Sequence, residues 1–384
     1  SATTDTRTIY TFTTDTTAYG ADKLKDFLFA NLTTGAGILE EKAYFTNKCV
    51  ATFQLSQCAS LSGAALTTAN SGTELVNYLR GQTSNEVTGG AFRDREHVLG
   101  DTVSAAPHFL KAPKYAFGHD EYAAFKTANT SRQGVVYVGA NDGMLHAFNA
   151  DTGAEMWAYV PKMILPELYH LAEENYSGNH RYYVDGIPET MDICVAPVPG
   201  PPSTATCTWK TILVSGLGAG GRGYYALDVT NPASPKAMWE ICSDSTRCAI
   251  SDADMGLSFG KPVITKRKVG GVETWVVLVT SGINNISGDG KGYLYVLDAL
   301  TGEILKNGAV PIKVPTGAGD TATCTAPTLC GPSGFAHISV YANDVSSNNL
   351  GLWAYGGDLW GNVWRFDLSV ATPTVIKLAE LKDA

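Results

Sequence analysis

A chain of 384 residues, 44% hydrophobic and only 17% charged, holds enough apolar material for one large β domain or two ordinary ones, and its 40 glycines fit a turn-rich β protein rather than a coiled coil. A formal net charge of −9 removes the basic footprint that a nucleic-acid binder needs. No apolar run approaches the ~20 residues that cross a bilayer as a helix, and a start at Ser1 without Met or signal peptide predicts a processed or excised piece of something longer.

Residues 1–92 differ in texture from the rest and read as a small N-terminal segment of helices and loops. The threonine-rich stretch before residue 21 predicts an extended strand or a disordered arm. Residues 21–32 (ADKLKDFLFANL) place apolar side chains at helical spacing and predict an amphipathic helix. A Thr, Gly and Ser-rich stretch around Cys49 and Cys58 predicts a disulfide-tied loop. Residues 73–80 (TELVNYLR) predict a second helix, with Gly72 or Thr73 near its cap.

Residues 93–384 are repetitive. The clearest unit is 134–161. A β-branched strand at 135–139 is followed by the Asn141-Asp142-Gly143 turn and a strand at 145–148. The Asp151-Thr152-Gly153 turn then leads to a strand carrying Trp157. Its Phe148-Asn149 recurs as Leu227-Asp228, Leu297-Asp298 and Phe366-Asp367, each after a glycine-rich turn and an apolar strand. Upstream of each unit stands a glycine followed by an alternating strand, at 99–110, 184–195, 255–266 and 333–341. Four strands in each of four units predict an all-β fold, a modified β-propeller of four-stranded antiparallel blades whose further blades lie beyond this chain. Each recurring acid is placed to accept N–H groups of the turn after it. Trp157, Trp239, Trp275, Trp353 and Trp364 supply bulk for packing blade on blade. Residues 120–129 and 162–175 predict inserted helices; 194–207 and 324–330 predict inserted loops.

Eight cysteines fall into four neighbouring pairs, Cys49/Cys58, Cys194/Cys207, Cys242/Cys248 and Cys324/Cys330, none with C-x-x-C spacing. Local disulfides are the expectation, and with them an oxidising compartment: periplasm, cell surface or extracellular space.

Enzyme-like motifs lack their context. Gly256-Leu257-Ser258-Phe259-Gly260 has the form of a nucleophile elbow, but the strand-like KPVITK follows where a helix is needed. Gly216, Gly218 and Gly221 match a dinucleotide fingerprint, yet RGYYALDV after them is a strand and offers no helix N-terminus to a pyrophosphate. His97, His108 and His119 form no ligand pair and are expected to be structural or solvated. Asp252 and Asp254 read as a capped turn, with a weak cation site as the alternative.

Several long stretches in register, RDREHVLGDTV, VVYVGANDGMLHAFNADTGAEMWAYVP, ILVSGLGAGGRGYYALDVTNP, DADMGLSFGKPVI, TSGINNISGDGKGYLYVLDALTG and GDLWGNVWRFDLS, resemble the C-terminal propeller domain of the PilC/PilY family of type IV pilus-tip proteins. The resemblance covers roughly residues 73–370. It implies secretion through the periplasm to the cell surface and pilus tip, with association at the outer membrane. It also implies contact with minor pilins, a part in pilus assembly, adhesion to host cells or surfaces and twitching motility, and no catalysis. Many members carry a calcium loop before the Y-x-G-D-L run. Here the corresponding place reads Asp344, Ser346, Asn348 and Leu352, and one carboxylate, one hydroxyl and one amide predict calcium affinity of millimolar order at best. Some members carry Arg-Gly-Asp where this chain has Arg80-Gly81-Gln82, and Gln82 cannot offer the carboxylate that an integrin-bound metal needs; Arg80 is expected to end a helix.

Two other readings share the fold class. A quinoprotein dehydrogenase would carry G-x-x-x-W blade signatures, as Gly153 with Trp157 does, and bind pyrroloquinoline quinone with calcium over a vicinal disulfide. No adjacent cysteines occur. An envelope assembly scaffold would share the propeller without pilus partners.

Overall fold

The computed structural model describes residues 5–34, 40–50, 54–86, 90–195, 207–322 and 330–381. Among the described residues four blade sheets follow one another along the chain, antiparallel apart from one parallel edge pairing in each of the first two. The first blade comprises His108–Leu110, Val135–Ala140, Met144–Asn149 and Glu155–Val160. The second comprises Glu189–Cys194, Trp209–Gly216, Gly223–Asp228 and Lys236–Cys242, with Ile250–Ser251 added at its edge. Val263–Val269, Val272–Thr280, Tyr293–Asp298 and Lys313–Pro315 form the third. Ile338–Ala342, Gly351–Gly357, Asn362–Asp367 and Thr374–Glu380 form the fourth.

The central strands of the second and third blades read as largely apolar runs because blades cover both of their faces. One face of each blade shares a buried cluster with the opposite face of the next. Val135, Tyr137, Leu145 and Ala147 of the first blade join Leu213, Tyr225 and Leu227 of the second. Ile212, Val214, Tyr224 and Ala226 of the second join Val277, Val279, Tyr295 and Leu297 of the third. Val276, Leu278, Leu294 and Val296 of the third join Ala354, Trp364 and Phe366 of the fourth. Trp157 and Trp239 are fully buried, and their indole N–H groups donate to Pro232 O (2.7 Å) and Ala299 O (3.1 Å) in the following blade.

The recurring Asp or Asn after each unit's central strands caps the next turn. Asn149 Oδ1 accepts from Asp151 N and Thr152 N, Asp228 from Thr230 N, Asp298 from Leu300 N and Thr301 N, and Asp367 from Ser369 N. The upstream glycine segments thread between blades where no side chain fits. A Cβ on Gly186 would lie 2.2 Å from Gly216 O, and one on Gly260 2.1 Å from Ala336 O.

The N-terminal segment departs from its expected form. Ile9–Phe12 is a strand that pairs in parallel with Glu155–Val160, and Leu24–Asp26 pairs with it in turn, so the first blade's sheet has six strands. The amphipathic helix expected over 21–32 is therefore absent. That stretch holds the Leu24–Asp26 strand and a 3₁₀ turn at Phe29–Asn31. Pairing with the neighbouring strand satisfies its backbone, and the alternate register carries Lys25 inward, where its buried ammonium meets Glu41. Glu41 also faces Lys162, at 3.2 Å. The helix at Gly72–Leu79 forms, with Ser71 as N-cap accepting from Glu74 N. Asp120–Ala128 is helical as expected. The insertion after the first blade is a 3₁₀ helix over Lys162–Ala172 rather than an α-helix, and Pro166 within it lacks the N–H an α-turn requires.

Disulfides join Cys49–Cys58, Cys194–Cys207 and Cys242–Cys248. The expected fourth pairing, Cys324–Cys330, involves Cys324, which lies outside the described residues, as do most of the loops expected at 194–207 and 324–330.

Candidate functional site

Ser258 sits in the segment between the second and third blades, 2% exposed. Its Oγ accepts from Leu217 N at 2.8 Å and donates to Gly223 O at 2.7 Å. The hydroxyl thus ties this inter-blade segment to the backbone of the second blade at Leu217 and Gly223. The glycine-rich turn at 216–221 packs its backbone on Tyr183 and Asp185 of the segment before the second blade. His108 pairs with Thr190 Oγ1 at 2.8 Å, and burial lowers its basicity. His97 is exposed, and His119 precedes the Asp120–Ala128 helix against Trp209.

Arg80-Gly81-Gln82 is interior. Arg80 ends the Gly72–Leu79 helix with its guanidinium buried. It donates to Asp5 Oδ2 (3.1 Å), Phe27 O (3.1 Å) and Arg7 O (2.8 Å), while Gln82 Nε2 donates to the same Asp5 at 2.8 Å. The chain of polar contacts continues inward. Arg7 holds Glu155 through two bonds of 2.6 and 2.7 Å. Glu155 Oε1 meets His146 Nδ1 at 2.8 Å, and His146 Nε2 lies 3.1 Å from Asp142. Burial alone would push the His146 imidazole down. The flanking Asp142 and Glu155 carboxylates outweigh it and raise the pKa to about 9. Burial opposes ionisation of Glu155 too, but hydrogen bonds from His146 and Arg7 bring it to about 2. This network was not legible in the sequence, since its members lie far apart and meet only once the sheet has formed.

Asp344, Ser346 and Asn348 do come together, in the hairpin turn between Ile338–Ala342 and Gly351–Gly357. Asp344 Oδ1 accepts from Ser346 N (3.1 Å), Ser346 Oγ (2.8 Å) and Ser347 N (3.0 Å), and Oδ2 accepts from Ser347 Oγ. Those serine hydrogen bonds hold the Asp344 carboxyl below the usual range. Asn348 Oδ1 accepts from the Lys266 ammonium. Calcium needs several free oxygen donors; here the donors are engaged with N–H and O–H groups and a fixed positive charge stands at one of them. The residues do not fit calcium.

Asp252 and Asp254 likewise face a lysine. Lys313 Nζ lies 2.8 Å from Asp252 Oδ1 and also contacts Asp254, with the Tyr293 ring centroid 4.3 Å away. Tyr295 OH donates to Asp252 Oδ1 at 3.1 Å. Among the described residues no three His, Cys, Asp or Glu side chains converge as a metal centre.

A cavity of about 490 Å³ opens between the 3₁₀ insertion and the loop closed by Cys242–Cys248. Met163, Ile164 and Leu217 form its apolar wall, and Arg222, Ser243 and Arg247 its polar side. Arg247 is paired with Glu167 at 2.9 Å.

Residues 101–375 match the family model described as the PilY1 beta-propeller domain. The chain is 34% identical over 305 residues to the type IV pilus biogenesis factor PilY1 of Pseudomonas aeruginosa (strain UCBPP-PA14), covering 77% of this chain and 23% of that protein. It is 35% identical over 309 residues to a PilY1 homolog of Xylella fastidiosa, covering 78% and 22%. It thus spans less than a quarter of the length of these relatives. A crystal structure of the P. aeruginosa PilY1 C-terminal domain aligns at 32% identity with a TM-score of 0.47, covering 68% of this chain and 45% of that one.

Proposed function

Because the chain belongs to the PilY1 β-propeller family, we propose that it is the propeller portion of a type IV pilus biogenesis factor that works by binding, without catalysis. The observation that carries this reading is the family match across residues 101–375. Supporting it, the two motifs of enzyme-like form are engaged in structural roles: Ser258 ties the segment before the third blade to the second blade, and the 216–221 turn packs against Tyr183 and Asp185. Among the described residues no helix is long and apolar enough to cross a membrane. In this reading the protein is exported through the periplasm to the cell surface and works at the pilus tip with minor pilins. Its disulfides suit that oxidising route. Adhesion to a host cell or surface and support of twitching motility follow from the same placement, and inserted loops and residues 1–92 are the surfaces that vary the partner.

The test is complementation. In a strain lacking its own copy of this factor, the full-length protein restores surface pili and twitching, whereas the same protein without residues 93–384 does not. Equal restoration by the shortened form overturns the proposal. The purified chain is also expected to retain minor pilins in a pull-down and to show neither quinone absorbance nor dehydrogenase turnover; either enzymatic signal would favour the quinoprotein reading instead.

A further inference from the structure

We propose that the Lys266 ammonium acts as a built-in cation that fastens the 344–349 turn of the fourth blade to the third, so that closure of this turn does not depend on calcium. Lys266 lies on Val263–Val269, the first strand of the third blade, and its side chain is 7% exposed. Nζ reaches across the blade boundary to Asn348 Oδ1, pairs with Glu273 Oε2 at 2.8 Å within its own blade, and lies 5.7 Å from the Trp275 ring centroid. Attraction to the ring face and to the carboxylate offsets the cost of burying the charge.

The backbone is committed in the same direction. Lys266 N donates to Asn349 O at 2.8 Å, Thr265 Oγ1 to the same carbonyl at 2.9 Å, and Asn349 Nδ2 to Ile264 O at 3.0 Å. Asn349 takes φ 54°, which turns its carbonyl and side chain onto the third blade. On the other side Ala116 N donates to Ser346 O at 2.8 Å. The turn is thus held by two other parts of the chain, and its oxygens accept from protein donors. A divalent ion at Asn348 would have to share an oxygen with an ammonium, placing like charges in contact. Lys313 of the third blade repeats the device toward the segment that follows the second, where it sits between Asp252 and Asp254 beneath Tyr293.

Hydrogen–deuterium exchange of the whole chain tests this. In the wild type, exchange over 343–350 is expected to be equal with millimolar calcium chloride and with EDTA. Lys266→Met is expected to speed exchange there about tenfold, the size set by one lost charge-assisted hydrogen bond, and Lys266→Arg to restore most of the protection. Should Lys266→Met fail to fold, Asn348→Leu removes the acceptor and is expected to give the same local acceleration. Calcium protection of the wild-type turn that disappears in Asp344→Ala overturns the proposal, as does unchanged exchange in both the Lys266→Met and Asn348→Leu variants.

Discussion

His146 shows how a single side chain reports its surroundings. It is 1% exposed, yet it carries charge because Asp142 and Glu155 bracket both ring nitrogens. A folded-state pKa near 9 exceeds the unfolded value of about 6.5, so its stabilisation is complete below pH 6.5 and fades as pH rises through 9. Glu155, held near 2, contributes above about pH 4.5 and loses that contribution as pH falls through 2. His146→Gln is therefore expected to cost about 3 kcal/mol at pH 6, as for a broken buried ion pair, and clearly less at pH 10. Denaturant unfolding of both proteins at the two pH values measures this, and a pH-independent difference would contradict a charged His146. Arg80 offers the complementary lesson. That it ends a helix was readable from residues 73–80, but its buried bonds to Asp5, Phe27 and Arg7 depend on chain that lies far away in sequence.

At the scale of elements, the strands and turns were legible because each repeat carries its own local chemistry. Period-two or continuous apolar runs end at an acid that caps a turn, and that pattern needs no distant partner. Over 21–32 the helical apolar spacing fits a short strand and turn equally well, and pairing with Ile9–Phe12 decides between them. Pro166 was visible in the inserted segment, which forms a helix of 3₁₀ type. The packing of blade on blade makes a direct prediction. Leu278 is fully buried between the third and fourth blades, so Leu278→Ala is expected to cost about 2–5 kcal/mol. The positions in the fourth blade that match Val276, Leu278, Leu294 and Val296 are Trp353, Tyr355, Val363 and Arg365, all half-buried. Tyr355→Ala is accordingly expected to cost far less. Thermal or denaturant unfolding of the two variants side by side checks the asymmetry, and equal losses would contradict it.

For the whole molecule, the N-terminal segment is an integral part of the first blade's sheet. Ile9–Phe12 covers the edge of Glu155–Val160, Arg7 neutralises Glu155, and Asp5 satisfies Arg80. Removing residues 1–12 would leave an open strand edge and a buried guanidinium without its carboxylate. That deletion is expected to lower the melting temperature and to promote self-association through the exposed edge. Calorimetry and size-exclusion chromatography test it; an unchanged monomer with an unchanged transition would show that the segment is dispensable.

The sequence by itself determined the repeat, its capped turns, the neighbouring cysteine pairs and the family, because each is written in residues close together in the chain. Only the tertiary structure decided that the first strand belongs to the sheet completed more than a hundred residues later, that Arg80 and His146 are linked through Arg7 and Glu155, and that lysines stand where the acids and amides suggested a metal. Those outcomes rest on backbone pairing and on burial of charge. Both depend on which distant groups the folded chain places within hydrogen-bonding reach, and local residue pattern carries no record of that distance.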